Sequence, residues 1–452
     1  MILSMPTTLD CALLRDLYGT PKLRAIFTTT ALVQSWLDVE AALAAAESEV
    51  GIVPPEAAAR IARECDARLY DVDELREALA VTKHPLVPLI RALAERCGEA
   101  GGWVHWGATT QDVVDTGLVL QVRGALAPIG RDLDRAALAA AGLARRYADT
   151  PMAGRTHSQH AVPITFGLKA ATWADELERA RTRLGELPLA AQLSGAAGTL
   201  ATLGEDAHAV QEAFCRRLGL ACPDVHWHAT RDRLRDLAHA LAQVAAAAER
   251  IAAEIVRLES TEVGEAFEPT SDAHVGSSTM PQKRNPMTCE YIVASARLLR
   301  ASTGVLVDSP AHAGERDMSF WAAEWLALPQ ALILCGGIVD KLATVLEGLE
   351  VDGARMRANL ELTRGQIMAE AVMMALGTAL GHETAHALVH KAARRAAEAG
   401  TTLGEELAGD PEIARHVSPD ELAGLVDPAS YLGLSATSAH AVADRVEGAS
   451  VR

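Results

Sequence analysis

Apolar side chains recur at every third or fourth position along most of the chain, with polar residues between them. In residues 31–50, for example, Leu32, Trp36 and Val39 have this spacing, and the segment stops at Gly51, shortly before a pair of prolines. Such a period places apolar residues on one face of an α-helix, whereas a half-buried strand would alternate. We therefore predict an amphipathic helix here, and we find no strong alternation that would predict a strand elsewhere.

The helical pattern extends over five longer segments with few helix breakers, namely 112–148, 164–190, 230–260, 287–306 and 318–348. Three stretches rich in Gly, Ser, Thr and His interrupt them, namely 103–111, 154–163 and 264–286. Long helices joined in this way are typical of a helical bundle, with the irregular stretches at its ends. The pattern predicts an all-α protein, with shorter helices from about Val351 onward.

The composition adds constraints on the core and on possible partners. Apolar residues make up 49% of the 452 positions but aromatic residues only 4%, so the core must consist mainly of Ala, Leu and Val. The formal net charge of −17 disfavours nucleic acid as a partner, because binding to phosphates requires a basic surface. A local pocket on an acidic protein can still be positive, so a small anionic substrate stays possible.

The cysteines and the N-terminus bear on location. Seven scattered cysteines without a CxxC pair favour reduced thiols in a cytoplasmic protein. The first residues lack the basic and apolar regions of a signal peptide, and no uninterrupted apolar run approaches the length of a membrane span. We therefore expect a cytoplasmic protein without a membrane partner.

The third interruption concentrates polar chemistry in a loop that begins with glycine, with the sequence Gly-Ser-Ser-Thr-Met-Pro-Gln-Lys-Arg-Asn-Pro at 276–286. A serine is a poor base unless its alkoxide is stabilised, and a nearby lysine and backbone N–H groups can provide that stabilisation. The plain alternative is a polar surface loop. This run closely resembles the GSSxMPxKxN signature of the fumarase/aspartase superfamily of lyases. The resemblance implies that Ser277 is the catalytic base and that Ser278, Lys283 and Asn285 bind a substrate carboxylate.

The first interruption has the sequence His-Trp-Gly-Ala-Thr-Thr-Gln-Asp at 105–112 and is similar to another motif of the same superfamily. Hydroxyl groups and free N–H groups at a helix N-terminus suit a carboxylate ligand. The residues alone are more typical of ordinary helix capping by Thr110 and Asp112. The resemblance favours substrate binding by Thr109 and Thr110, and it leaves His105 open between a ligand contact and a structural role.

The second interruption, Gly-Arg-Thr-His-Ser-Gln-His at 154–160, resembles a G-R-T-H segment of these lyases. Histidine titrates in the range that proton transfer near neutral pH requires. The resemblance implies that His157 donates a proton or orients the donor and that Gln159 binds a carboxylate. For His160, substrate contact and simple packing are both open.

Two further segments resemble the superfamily: Thr-Arg-Asp-Arg at 230–233 and Glu-Arg-Asp-Met-Ser at 315–319. Arg316 is expected to bind a substrate carboxylate through two hydrogen bonds. The alternative is a surface ion pair with Glu315 or Asp317.

The resemblance covers nearly the whole chain and implies a fold of three mostly helical domains. We expect an N-terminal domain at 1–107, a central long-helix domain at 108–350 and a C-terminal domain at 351–452. In the superfamily the central helices form a twenty-helix bundle in a homotetramer, and each active site takes loops from three subunits.

The substrate is less well defined. The overall likeness is to the bacterial 3-carboxy-cis,cis-muconate cycloisomerases, but those enzymes often have Trp where this chain has His157, and small residues where it has Thr82-Lys83-His84. At both places the chain leans toward the adenylosuccinate lyases. Yet Trp325 stands where those lyases have the Arg that holds a nucleotide phosphate, which disfavours a nucleotide substrate.

We therefore predict elimination from a small C2-substituted succinate to give fumarate, with nitrosuccinate, which would also release nitrite, as the specific hypothesis. The first alternative is a 3-carboxy-cis,cis-muconate cycloisomerase. An adenylosuccinate or aspartate-type C–N lyase, or a non-catalytic structural member, are further alternatives. The reaction requires no metal and no organic cofactor, so we expect neither.

Overall fold

The computed structural model describes residues 11–270, 280, 282–308 and 312–450. Over these residues the fold is all-α, as the sequence predicts. The helices are α1 (Pro21–Ile26), α2 (Thr29–Glu49), α3 (Pro55–Glu64), α4 (Val72–Thr82), α5 (Val87–Cys97), α6 (Thr110–Arg146), α7 (Phe166–Gly185), α8 (Ala207–Leu218), α9 (Asp232–Glu259), α10 (Met287–Val307), α11 (Met318–Glu347), α12 (Gly353–Leu360), α13 (Ala369–Leu380), α14 (His382–Ala399), α15 (Leu403–Ala408), α16 (Pro419–Leu425) and α17 (Ser435–Ser450). The strands are β1 (Pro151–Thr156), β2 (Gln159–Thr165), β3 (Ala266–Phe267) and β4 (Glu350–Val351).

The five long helices predicted from the sequence are confirmed as α6, α7, α9, α10 and α11, with ends within a few residues of those expected. The amphipathic helix predicted at 31–50 is α2. It begins after Thr28, whose hydroxyl accepts a hydrogen bond from the N–H of Ala31 at 3.2 Å, and it ends just before Gly51, which has a φ of +84°. Thr28 therefore caps the start of α2, and Gly51 follows its end, as capping chemistry predicts.

Contacts divide the chain into two compact units, each assembled from three stretches of sequence. Unit 1 comprises 1–132, 180–246 and 294–340. Its apolar core includes Leu37 of α2, Phe214 of α8 and Trp321 of α11, all almost completely buried. Helix α2 packs against both α3 and α8, so the N-terminal helices share one core with parts of the long helices.

Unit 2 comprises 133–179, 247–293 and 341–452. Gly167, at the start of α7, lies so close to the end of α6 that an added Cβ would be 2.5 Å from the Cα of Ala148. Only glycine permits this approach. The shorter helices α13, α14, α15 and α16 surround a separate apolar cluster with Val372, Leu376 and Leu403 at its centre. The three-domain division expected from the sequence stays a prediction.

One segment differs from the sequence prediction. The stretch 154–163 was expected to be irregular, but it belongs to an antiparallel hairpin in which β1 pairs with β2 from Pro151↔Thr165 to Thr156↔Gln159. The register shifts between Ala153 and Arg155, which is a β-bulge. Side-chain burial along the two strands does not alternate, so the period of two that predicts a strand is missing from the sequence.

Among the described helices, only Met318–Glu347 is long and apolar enough to cross a membrane by length and composition alone. Most of its apolar window is buried inside the structure, and a core helix passes the same test.

Candidate active site

The start of α6, in unit 1, is organised by the carboxylate of Asp112. This carboxylate accepts hydrogen bonds from the backbone N–H groups of Thr109 at 3.0 Å, Ser194 at 3.1 Å and Gly195 at 2.9 Å, and it lies 2.9 Å from Nε2 of the buried His228. Asp112 is therefore fully used in capping the helix and in holding the loop at 194–195. A structural role explains it, and the half-buried Thr109 and Thr110 remain the ligand candidates at this helix end.

His84, which the sequence prediction does not include among the site residues, reaches the same helix end. Its Nε2 lies 3.4 Å from the hydroxyl oxygen of Thr110, and its Nδ1 is buried without a hydrogen-bond partner among the described residues. The preceding Lys83 has a φ of +57°, in the left-handed region. The available signal was the polar break at 82–85 between two helices. The structure thus places the segment 82–84 at the candidate carboxylate site.

Arg316 lies at the start of α6. Its Nε donates to Oε1 of Gln111 at 2.8 Å, and its Nη2 donates to the carbonyl oxygen of Ala196 at 3.0 Å. It forms no ion pair with a carboxylate of the described residues, so the alternative of a surface pair with Glu315 or Asp317 is not supported there. Because both partners are neutral, the exposed guanidinium keeps its charge for an anionic ligand.

A buried ionic cluster fixes the side chain of Gln111. Gln111 donates through Nε2 to Asp115 at 3.1 Å, and Asp115 accepts two hydrogen bonds from Arg231, at 2.7 and 3.0 Å. Arg231 also donates to Glu324 at 3.0 and 2.5 Å, and the indole N–H of Trp321 donates to Asp115 at 2.8 Å. The side chains of Arg231, Asp115 and Glu324 are at most 2% exposed.

Charges buried this deeply require complete pairing. Burial raises the pKa of Glu324, although Arg231 opposes that shift. For Arg231, burial lowers the pKa, but the attraction of Asp115 and Glu324 outweighs it and the net direction is upward. Removing one member of such a cluster typically costs about 3–5 kcal/mol. The segment 230–233, noted from the sequence without a role, therefore supports the position of Gln111 and, through it, of Arg316.

His105 has a carboxylate partner that the sequence did not indicate. Its Nδ1 lies 2.6 Å from Oε1 of Glu40, which is 1% exposed. Burial alone would lower the pKa of His105, but Glu40 raises it more, so the pKa lies above its usual value. The backbone of His105 has a φ of +60°, an uncommon conformation for a residue with a side chain. The contact with Glu40 therefore fixes His105 shortly before Thr109 in the chain.

In unit 2, His157 lies at the tip of the β1–β2 hairpin. His157 and Ser158 form the two-residue turn with φ values of +50° and +62°. Turns of this kind favour glycine or asparagine, so two other residues here indicate backbone strain, which proteins often keep at functional sites. The side chains of His157 and Gln159 are exposed, and neither forms a hydrogen bond or ion pair with a described residue.

The hairpin is held at its base by a buried ion pair. Arg155 donates to both oxygens of Glu265, at 2.6 and 2.8 Å, and the side chains are 8% and 0% exposed. Asn359 donates to the same carboxylate at 2.7 Å. His160, on β2, has a lowered pKa, first through burial and then through Arg155. Its Nδ1 is buried without a partner among the described residues, and its role stays open.

A cavity of about 590 Å³ lies beside the hairpin tip in unit 2, with Ser158 in its wall. Its lining includes Arg155, Lys169, Arg250 and Arg257, together with Glu254. Lys169 and Arg257 both pair with Glu254, at 2.7 and 2.6 Å, and although burial would raise the pKa of Glu254, these cations lower it. Two cations share one carboxylate here, so the wall keeps a surplus of positive charge in a protein with a net charge of −17.

The loop that carries the signature sequence is only partly described. Ser277 and Ser278 lie outside the described residues. Lys283 is exposed and has no ionic partner among the described residues, and the carbonyl oxygen of Asn285 accepts a hydrogen bond from the N–H of Met287 at 2.8 Å. Lys283 and Asn285 therefore stand directly before α10.

The residues around Lys283 show how this end of the loop is fixed. Arg284 pairs with Glu350 at 3.0 Å, donates to the carbonyl oxygen of Glu268 at 2.8 Å and lies 4.9 Å from the centre of the Phe267 ring. The buried carboxylate of Glu268 accepts hydrogen bonds from the N–H groups of Thr288, at 3.1 Å, and Cys289. Glu268 thus caps α10, a role that its position far upstream in the sequence did not indicate.

The chain is similar to known proteins over most of its length. Residues 18–298 match the family described as "Lyase", and residues 365–442 match "Adenylosuccinate lyase C-terminus". A 3-carboxy-cis,cis-muconate cycloisomerase of Pseudomonas aeruginosa is 44% identical over 418 residues, which cover 91% of each chain. A nitrosuccinate lyase of Streptomyces davaonensis is 38% identical over 95% of this chain and 93% of its own. The crystal structure of the 3-carboxy-cis,cis-muconate lactonizing enzyme from Pseudomonas putida has a TM-score of 0.90 at 39% identity, covering 96% of this chain and 99% of that one.

Proposed function

Because this chain is an enzyme of the fumarase/aspartase superfamily, we propose that it transfers a proton at the carbon next to a carboxylate of a small di- or tricarboxylate. The observation that carries the proposal is Arg316, whose guanidinium is held by neutral acceptors beside the start of α6. A cation fixed in this way, next to threonine hydroxyl groups at a helix N-terminus, is suited to one carboxylate of the substrate.

The roles of the remaining residues follow the superfamily motifs. Ser277, as the alkoxide, removes the proton on the carbon next to the carboxylate, and the electron pair passes into that carboxylate to form a dianion. Lys283 and Asn285 stabilise this charge, while Ser278, Thr109, Thr110, Gln159 and Arg316 bind the substrate. The substituent on the adjacent carbon then leaves, and His157 supplies a proton where the leaving group requires one.

For the substrate, the relatives favour cycloisomerisation of 3-carboxy-cis,cis-muconate over the nitrosuccinate elimination predicted from the sequence. The P. aeruginosa cycloisomerase has 44% identity and the nitrosuccinate lyase 38%. In lactone formation a substrate carboxylate adds to a double bond and the neighbouring carbon is protonated. This is the same proton transfer run in the opposite direction, so one acid–base set serves both reactions. We therefore propose 3-carboxy-cis,cis-muconate as the first substrate.

A specific observation keeps a second candidate, release of fumarate from a C2-substituted succinate. His84 lies 3.4 Å from Thr110, at the carboxylate-binding helix end, and the exposed hairpin tip presents His157. These are the two places where the chain differs from the pattern of many cycloisomerases. Two additional imidazoles suit a leaving group that must be protonated.

The test uses purified full-length protein and follows ultraviolet absorbance with two sets of substrates. One set is 3-carboxy-cis,cis-muconate, monitored for lactone formation; the other is nitrosuccinate, aspartate and adenylosuccinate, monitored for fumarate. We expect turnover of 3-carboxy-cis,cis-muconate, whereas fumarate release without lactone formation would establish the second candidate. Turnover of none of the four would contradict the proposed substrate class.

In the same assay, Ser277→Ala should lower kcat by about 10²–10⁴, which is the usual contribution of a general base. Its far-ultraviolet circular dichroism and its size in solution should remain unchanged. A variant that keeps more than about a tenth of wild-type kcat, equivalent to less than about 1.4 kcal/mol of barrier, would contradict the assignment of Ser277 as the base.

A further inference from the structure

Three histidines form a regular row on the exposed side of α14. His382, His386 and His390 are spaced four residues apart, and all three are exposed. The ring centres of His382 and His386 are 6.4 Å apart with planes at 17°, and those of His386 and His390 are 6.0 Å apart with planes at 5°. We refer to these three residues as the histidine row. The rings are stacked side by side, so each neighbouring pair presents two imidazoles to the same region of solvent.

Residues four apart on a helix lie one above the other, which is the spacing at which two side chains can bind one ion. Imidazole nitrogen binds Zn²⁺ at about 2.0–2.1 Å. Two imidazoles on one tetrahedral ion therefore have ring centres roughly 5 Å apart, if that bond length is combined with the size of the ring. The observed separations of 6.0 and 6.4 Å require each pair to close by only about 1 Å. Exposed side chains can make such a movement by changing rotamer.

We propose that the histidine row binds a divalent transition-metal ion through His386 together with either His382 or His390. Two imidazoles select borderline ions such as Zn²⁺, Ni²⁺ and Cu²⁺ over Mg²⁺ and Ca²⁺, which prefer oxygen ligands. Water completes the coordination. Because both pairs share His386, the row binds one ion at a time, in two alternative positions.

This site differs from a zinc enzyme centre, although His382-Glu383-Thr384-Ala385-His386 has the HExxH spacing of such centres. Among the described residues, no group of three or more His, Cys, Asp or Glu is arranged to hold a metal ion. Glu383 directly follows His382 and therefore lies on a different face of the helix. None of these residues belongs to the proposed catalytic set, so the expectation that the reaction needs no metal does not change.

The experiment measures the binding of Ni²⁺ and Zn²⁺ to untagged full-length protein by isothermal titration calorimetry in a non-coordinating buffer. His386→Ala removes both pairs and should weaken binding at least tenfold. His382→Ala and His390→Ala each leave one pair, so each should weaken binding only about twofold, the statistical effect of losing one of two equivalent positions. His208→Ala, at an exposed histidine on α8 in unit 1, is the matched control and should leave the affinity unchanged.

The double variant His382→Ala/His390→Ala provides a second route that leaves His386 intact, and it should also weaken binding at least tenfold. Cu²⁺ bound to the wild type should show an electron paramagnetic resonance spectrum split by two imidazole nitrogens, reduced to one in this double variant. Equal affinities for the wild type and His386→Ala, no measurable binding by the wild type, or a spectrum with a single nitrogen in the wild type would each overturn the proposal.

Discussion

At the scale of single residues, the partners of an arginine decide what it can bind. Arg316 contacts the amide oxygen of Gln111 and a backbone carbonyl, whereas the neighbouring Asp317 accepts hydrogen bonds from Ser319 and from the N–H of Ala313. Those hydrogen bonds, Ser319 first, lower the pKa of Asp317 and keep it ionised without the help of Arg316. The positive charge of Arg316 is therefore oriented by its neutral partners.

Arg316→Ala should raise KM and lower kcat/KM by about 10- to 100-fold, because hydrogen bonds to a charged group contribute about 1.5–3 kcal/mol. Arg316→Lys should recover only part of the loss, since an ammonium group cannot make the two parallel bonds of a guanidinium. Steady-state kinetics with the substrate found above measures both effects. Glu315→Ala, at the adjacent exposed residue, is the control, and kinetics equal to wild type in Arg316→Ala would contradict substrate binding by Arg316.

At the scale of elements, tertiary contacts override local preferences in two places. One is the hairpin of unit 2, and the other is helix α2 of unit 1. The hairpin keeps a strained tip at His157 and Ser158 while the buried Arg155–Glu265 pair fixes its base. In α2, Glu40 and Glu47 are buried two turns apart on the same side of one helix, at 1% and 0% exposed. Glu40 pairs with His105, whereas both carboxyl oxygens of Glu47 lack a hydrogen-bond partner among the described residues.

This arrangement makes stability depend on pH. Burial, and then the charge of Glu40, raise the pKa of Glu47 from 4.5 to about 8 in the folded protein. Below pH 4.5 the carboxyl is protonated in both states and costs nothing. Between pH 4.5 and 8 only the folded state retains the proton on Glu47. The free energy of unfolding therefore falls as pH rises through this range. Above pH 8 the free energy of unfolding stays lower than at acidic pH, by on the order of 3–5 kcal/mol at most.

Glu47→Gln removes this titration and should therefore raise Tm at pH 8, with a gain that shrinks toward pH 5. Thermal unfolding followed by circular dichroism at both pH values checks the result. The exposed Glu56→Gln, on α3, is the control and should show no gain that depends on pH. The opposite trend, with the larger gain at pH 5, would show that Glu47 is ionised in the folded protein.

At the scale of the whole molecule, the candidate residues are distributed over long rigid elements. A helix of about 30 residues spans roughly 45 Å, which limits how many loops one chain can bring to one substrate. The exposed side chains of His157 and Gln159 make no hydrogen bond or ion pair within the described part of their own chain. We propose that other subunits of a homotetramer complete the site, as in the superfamily, so that Ser277 and His157 of one site belong to different chains.

Two inactive variants should then complement each other. Ser277→Ala and His157→Ala, denatured together and refolded as a mixture, should regain about a quarter of wild-type activity, given random mixing in a symmetric assembly. Each variant refolded alone is the control, and His157→Ala must first prove severely impaired. A monomer by light scattering, or hybrid tetramers without regained activity, would contradict a site shared between chains.

The sequence by itself determined the all-α class, the five long helices and the superfamily. Helical periodicity and helix caps are local, and a motif such as 276–286 keeps its spacing in any context. Only the tertiary structure showed that Glu40 pairs with His105, that Glu268 caps α10, that His84 meets Thr110 and that Arg316 rests on Gln111. The residues of these pairs are 20 to 205 positions apart in sequence, and their contacts depend on how the helices pack, which no local pattern encodes.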